Sequence, residues 1–218
     1  MYSSIEPTRN LSQTAYIVLR QSIRDGSLIK DRLYSVNELA KSMGTSRTPV
    51  REALIELANE GLVVIEPQRG FRLRVIDSDE REEIFKLREL LEVFVVKQLA
   101  ETISENDIAQ LRRIINEQSN YVTDPNRFLQ IDEEFHILMP RLAGLKRTHK
   151  IMSSLRGAMW LLGTAALVSP ERASNVLKEH QSILDAIEAH DVEAAASAMK
   201  VHLRITSDVL DQQESPRE

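Results

Sequence analysis

Beyond Val75 this chain offers no strand pattern, and everything after it parses into long helices with clear punctuation. Helices are expected near 79–102, 105–121, 126–142, 145–167, 171–189 and 192–212. Ser104, Asp124 and Ser169 stand as caps, and Pro125 and Pro170 fall in first turns. Asp191 is placed to cap the last helix, so the final two helices make an antiparallel hairpin turning at His190 and Asp191. A body of this kind buries its apolar stripes only by packing helix on helix, as an antiparallel bundle.

The stretch before it reads differently. Leu11, Ala15, Val18, Leu19 and Ile23 mark an amphipathic helix ended by Gly26. Ser35 and Glu38 form a capping box for a short helix over 36–43, which Gly44 ends. Ser46 caps a third helix with Val50, Ala53, Leu54 and Leu57 inward, stopped by Gly61. Segments 62–65 and 71–75 then read as strands around Glu66–Gly70, with Gly70 free to take a positive φ in the turn. The expected fold is therefore mainly α: a winged helix-turn-helix over 1–76 and an all-helical domain over 77–218.

Charge divides at the same place. Residues 1–76 carry 11 Lys and Arg against 8 Asp and Glu, and residues 77–218 carry 17 against 25, within a net charge of −5. A basic head on an acidic body suits a DNA-binding module joined to a domain with another task. The chain has no cysteine, which excludes disulfides, thiolate metal sites and cysteine nucleophiles. Its first residues lack a signal-peptide core, and no apolar run approaches the roughly 18 residues that span a bilayer. The cytoplasm is the expected location, with no membrane partner.

In a helix-turn-helix the second helix enters the major groove by its N-terminal residues. Here these are Ser46, Arg47, Thr48 and Arg51. Arginine donates two hydrogen bonds to guanine or pairs with phosphate, and threonine bonds phosphate oxygens. Gln68, Arg69 and Gly70 of the wing are placed to reach the minor groove or backbone. One recognition helix reads too few bases for useful specificity, so a homodimer on a pseudo-palindromic double-stranded operator is expected.

In the helical body, ionisable residues stand on apolar faces, where an unpaired one is costly. Asp132 and His136 are one turn apart and share a face with Phe128, Phe135 and Met139. His180 shares one with Ile183, Leu184 and Ile187, and His202 with Ala195, Ala198 and Met199. His180 lies about eleven residues before the hairpin turn and His202 about eleven after it, so both rise roughly 16 Å and can face each other. Taken singly, each histidine fits a hydrogen-bonded core residue. Jointly, Asp132, His136, His180 and His202 offer one oxygen and three nitrogens to a divalent metal, Zn²⁺ first, with Ni²⁺, Mn²⁺ or Fe²⁺ as alternatives. Such a centre has a net charge near +1 and open positions, which invites an anion. Met152, Leu155, Met159 and Trp160 form either a packing stripe or the wall of an apolar pocket. His149 and His190 read as a loop residue and a helix C-terminal residue.

The run Ser35-Val-Asn-Glu-Leu-Ala-Lys-Ser-Met-Gly-Thr-Ser-Arg-Thr-Pro-Val-Arg-Glu-Ala-Leu, with Glu60-Gly-Leu and Arg69-Gly, resembles the DNA-binding domain of the GntR family. That resemblance implies Arg47, Thr48 and Arg51 as principal DNA contacts and Gly70 at the wing tip. Asp132-Glu-Glu-Phe-His136, Glu179-His-Gln-Ser-Ile-Leu-Asp-Ala-Ile187 and His202-Leu203 resemble the FCD domain of the FadR-like branch. This implies a metal on Asp132, His136, His180 and His202, and a small carboxylate effector against it. It also implies that Arg88, in Leu87-Arg-Glu-Leu-Leu-Glu92, pairs with the effector's acid.

These readings converge on a transcription regulator, expected to be a repressor, whose operator affinity a metal-bound effector modulates. Two alternatives remain: a metalloregulator whose signal is the metal itself, and a metal-dependent hydrolase. The second finds no general base, because Glu133, Glu134 and Glu179 are expected to point away from the metal ligands' faces.

Overall fold

The computed structural model describes residues 11–29, 31–167 and 169–214. The ends of both expected domains, 1–10 and 215–218, lie outside them. The chain forms two compact units that meet between Val75 and Ile76.

The N-terminal unit runs α1 (Leu11–Arg24), α2 (Val36–Ser42), α3 (Arg47–Asn59), β1 (Val63–Glu66) and β2 (Gly70–Leu73). α1 lays Ala15, Leu19 and Ile23 against α3, whose Val50, Ala53, Leu54 and Leu57 are all but inaccessible to solvent. Ser35 caps α2, its hydroxyl accepting from the Glu38 N–H at 3.4 Å. Ser46 holds the capping position of α3 but makes no side-chain bond there. The third helical residue is Pro49, which has no N–H to donate, and Ser46 stays exposed.

β1 and β2 pair antiparallel from Val63–Leu73 to Glu66–Gly70. On the outer side of β2 the Tyr34 and Phe71 backbones exchange hydrogen bonds of 2.8 and 3.0 Å. This third segment is what requires glycine at position 70. There φ is +144°, and a Cβ would lie 2.0 Å from the Tyr34 carbonyl oxygen. Gly70 is thus buried at the turn end of the hairpin, paired with Glu66 immediately beside the tip rather than on it. The tip is Pro67, Gln68 and Arg69, with Gln68 itself at φ 62°. The demand for glycine comes from a residue 36 positions away, beyond the reach of local turn chemistry.

The C-terminal unit runs α4 (Ser78–Thr102), α5 (Glu105–Ser119), α6 (Pro125–Leu142), α7 (Lys146–Ala166), α8 (Pro170–Glu188) and α9 (Val192–Glu214). Asp77, Ser104, Asp124 and Ser169 each accept from the third N–H of the helix they start. Asp191 accepts from the Ala194 N–H at 2.9 Å, and the sharp turn before α9 is made by His190 at φ 54°. α8 and α9 form the antiparallel hairpin, and α9 also packs along α4. Val95, Val96 and Leu99 of α4, Phe135 and Met139 of α6, and Ile183, Leu184 and Ile187 of α8 share one buried cluster with Met199 and Leu203 of α9. Among the described residues no helix is long and apolar enough to cross a membrane.

Candidate metal and ligand site

The helical faces that carry the histidines meet. His136 on α6, His180 on α8 and His202 on α9 are buried, at 5%, 0% and 3% exposure. The ring centres of His180 and His202 lie 4.9 Å apart, those of His136 and His180 5.3 Å, and those of His136 and His202 5.1 Å. Each offers one nitrogen within 4.8 Å of the others'.

The outward nitrogen of each ring is engaged. Nδ1 of His136 meets Glu92 Oε2 at 2.5 Å, Nδ1 of His180 meets Gln118 Oε1 at 3.0 Å, and Nδ1 of His202 meets Glu179 Oε2 at 2.8 Å. The Gln118 amide nitrogen faces Asp132 Oδ1 and the Phe128 carbonyl oxygen, so its oxygen is the atom turned to His180. All three partners are acceptors, so Nδ1–H donates in each case. A neutral imidazole then directs its Nε2 lone pair inward.

The Nε2 atoms of His136 and His180 are buried without a hydrogen-bond partner. Asp132, on α6, brings Oδ1 to 3.4 Å from Nε2 of His180 and Oδ2 to 3.9 Å from Nε2 of His136. Two lone pairs and a carboxylate facing one another in a buried space repel unless a cation lies between them. Donors about 2.1 Å from one ion can stand at most about 4.2 Å apart, so a small inward shift of the rings completes a coordination sphere. The donor set fits a divalent ion, Asp132, His136, His180 and His202 being the residues able to hold it.

Around this centre lies a cavity of ≈ 80 Å³. One side is polar: Arg88, Arg172 and Thr206 join Asp132, His136 and His202. The other is apolar, with Leu129, Met152, Leu155, Met159 and Trp160. The α7 stripe is therefore a cavity wall. At Gly163 a Cβ would stand 2.8 Å from Leu129 Cδ2, so the missing side chain lets α7 close upon α6. The space suits several waters or a small organic acid.

Two relays of similar chemistry support the histidines. Arg88 Nε donates to Glu92 Oε1 at 2.5 Å, and Glu92 holds His136. Arg172 Nη1 donates to Glu179 Oε1 at 2.6 Å, Arg172 Nη2 also bonds Thr206, and Glu179 holds His202. Burial alone would lift the Glu92 pKa, but Arg88 and His136 more than offset it and hold the carboxyl at about 2. Burial pushes His180 well below its ordinary 6.5, and the nearby His202, His136 and Arg88 add to the effect. Burial also lowers His202, against the opposing pull of Glu179.

A pH dependence follows for the metal-free protein. Glu92 contributes stability above its ordinary 4.5 that is lost as pH falls toward 2. His180 contributes nothing above 6.5, but below it the unfolded chain takes up a proton that the folded chain refuses. Both signs agree. Urea unfolding of chelated protein is expected to give constant stability for these groups above pH 6.5 and a steady decline below it, and stability that rises from pH 6.5 to 5 would contradict the assignment.

Sequence reading missed Glu92, Gln118 and Arg172, and placed Glu179 and Glu133 away from the site. Glu179 instead binds His202, and Glu133 lines the cavity. α9 packs along α8 closely enough for His202 to meet Glu179, the residue next to His180. Glu92 and Gln118 were detectable by the criterion that singled out the histidines. Glu92 precedes Val95, Val96 and Leu99 on a buried face, and Gln118 follows Leu111 and Ile115. Arg88 lies at the cavity wall, tied to Glu92.

In the other unit Ser46, Arg47, Thr48, Arg51, Gln68 and Arg69 are all exposed. Arg47, Arg51, Gln68, Arg69 and Gly70 line one groove between the start of α3 and the wing, together with Asn37. Arg69 pairs with Glu66 at 3.1 Å across the turn.

Comparison with known proteins agrees with both halves. Residues 11–73 match the model of bacterial regulatory proteins of the gntR family, and residues 83–205 that of the FCD domain. An HTH-type transcriptional regulator in an unstable DNA locus of Streptomyces ambofaciens is 34% identical over 88% of this chain and 82% of that protein. The HTH-type transcriptional repressor RspR of Escherichia coli is 26% identical, over 94% and 91%. The solved structure of E. coli McbR/YncC superposes with a TM-score of 0.79 at 19% identity, over 94% of this chain and 99% of that one, a likeness of fold. A winged helix-turn-helix followed by an all-α unit, matched along nearly its whole length, places this chain in the GntR family of transcriptional regulators, with an FCD domain as its helical half.

Proposed function

We propose that the protein is an operator-binding repressor that releases DNA when a small carboxylate binds beside a divalent metal on Asp132, His136, His180 and His202. The observation that carries this reading is the inward convergence of three buried imidazoles, two with unpartnered Nε2 atoms, on a cavity that also presents Arg88, Arg172 and Thr206. The metal supplies a Lewis-acidic anchor when bound. Arg88 is the residue proposed to meet the effector's acid, sharing its guanidinium with Glu92.

Ser46, Arg47, Thr48 and Arg51 of α3 with Gln68 and Arg69 of the wing are the proposed DNA contacts, Gly70 shaping the wing beneath them. A homodimer is supported by Leu87, Leu90 and Phe94, which stand 37%, 72% and 46% exposed on one side of α4. That RspR is named a repressor supports the direction of control.

The test uses a DNA fragment selected by the protein from a random pool. Small carboxylates are titrated into the complex with wild type and His202→Ala side by side. Release from wild type, with no response from a folded, metal-depleted His202→Ala that still binds DNA, is the expected outcome. An undiminished response of that variant would show the metal-centred mechanism to be wrong.

A further inference from the structure

The cavity lining contains a donor that the proposed metal centre leaves unused. Trp160 is 8% exposed, its indole Nε1–H is buried without a hydrogen-bond partner, and the residue lines the cavity. Nε of Arg172 is in the same condition on α8, although the other nitrogens of that guanidinium are bound to Glu179 and Thr206. Buried N–H groups are almost always satisfied, and the indole has no acceptor role that could serve instead. Met152, Leu155 and Met159 lie with Trp160 along the cavity stripe of α7, where packing alone asks only for apolar surface and leaves the indole N–H without a purpose.

We infer that Trp160 reads a second oxygen of the effector, which makes the ligand an oxygenated carboxylic acid, with its acid at the metal and a hydroxyl or carbonyl oxygen further along the chain at the indole N–H. This rests on the carboxylate-sensing reading above and narrows it. In the ligand-free protein water can serve the indole. An acid ending in a methyl group displaces that water and leaves the N–H bare, whereas an oxygenated one replaces it. A site built on a buried donor rejects the analogue that lacks the acceptor more strongly than it rejects a change of size.

The chain has one tryptophan, so a single indole ¹⁵N–¹H resonance reports on this position alone. The experiment titrates Zn²⁺-loaded full-length protein with butyrate and with its 2-, 3- and 4-hydroxy derivatives, following affinity calorimetrically and the indole resonance by NMR. A 3- or 4-hydroxyl is expected to tighten binding about tenfold over butyrate and to shift the indole proton downfield. In Trp160→Phe that advantage should vanish, with Zn²⁺ content unchanged and butyrate bound no more weakly, because no bare N–H then opposes it. A gain from the 2-hydroxyl alone reports chelation at the metal, survives in Trp160→Phe, and overturns the role of Trp160. So does an unmoved resonance at saturation, or an equal 3- or 4-hydroxyl advantage in the variant. If none of these acids binds, the carboxylate-sensing reading itself fails and this one with it, whereas binding indifferent to Trp160 sinks only the inference.

Discussion

Replacing Glu92 by alanine is expected to destabilise the helical unit by about 3–5 kcal/mol, the usual cost of breaking a buried ion pair from one side. Glu92 is 1% exposed and accepts from both Arg88 and His136, so its loss leaves a buried guanidinium and a buried imidazole nitrogen without their acceptor. The paired change Arg88→Met with Glu92→Leu should be far milder, because it removes the charge along with its partner. Urea unfolding of metal-free protein, followed by the fluorescence of the lone Trp160 in the same unit, measures both. A loss below about 1 kcal/mol in Glu92→Ala would show that water reaches the relay and that the burial described here is wrong.

Metal is expected to move stability by a similar amount in the opposite direction. An ion that binds only the folded chain stabilises it by about 4 kcal/mol at a thousandfold excess over its dissociation constant. Chelated protein should therefore melt several degrees higher after Zn²⁺ is added, and elemental analysis should find about one ion per chain. His180→Ala and His202→Ala should abolish the increment. Acid should reverse it in wild type, since imidazole binds metal only when neutral. No increment with Zn²⁺, Ni²⁺ or Mn²⁺ would remove the quartet from metal chemistry and leave the histidines as core residues.

The helices were legible in the sequence because their punctuation is chemical and local. Ser104, Asp124, Ser169 and Asp191 cap where a short polar side chain precedes an apolar stripe, and Pro125 and Pro170 open helices where no N–H is needed. The approach of His180 to His202 was legible too, since equal spacing from a hairpin turn fixes equal height. What stayed hidden depends on contact between elements. Gly70 answers to Tyr34, Glu179 answers to α9, and Glu92 with Gln118 answers to histidines 44 and 62 residues away. Ser46 is a local misreading. Its position is a cap in geometry, and Pro49 two residues into the helix's first turn removes the donor that would make it one in chemistry.

The three imidazoles do not have equivalent backing. His136 and His202 lean on carboxylates, and His180 leans on the neutral amide of Gln118. A carboxylate behind an imidazole raises its electron donation, and an amide only orients it. A divalent ion held by these residues would therefore meet a graded set of donors, two strong nitrogens and one weaker one on the fully buried ring. A graded sphere holds an ion less tenaciously than three equal donors would and lets it rearrange when a fifth or sixth ligand arrives. In such a centre Gln118 would bear on how readily the ion exchanges partners, as distinct from whether it can bind at all.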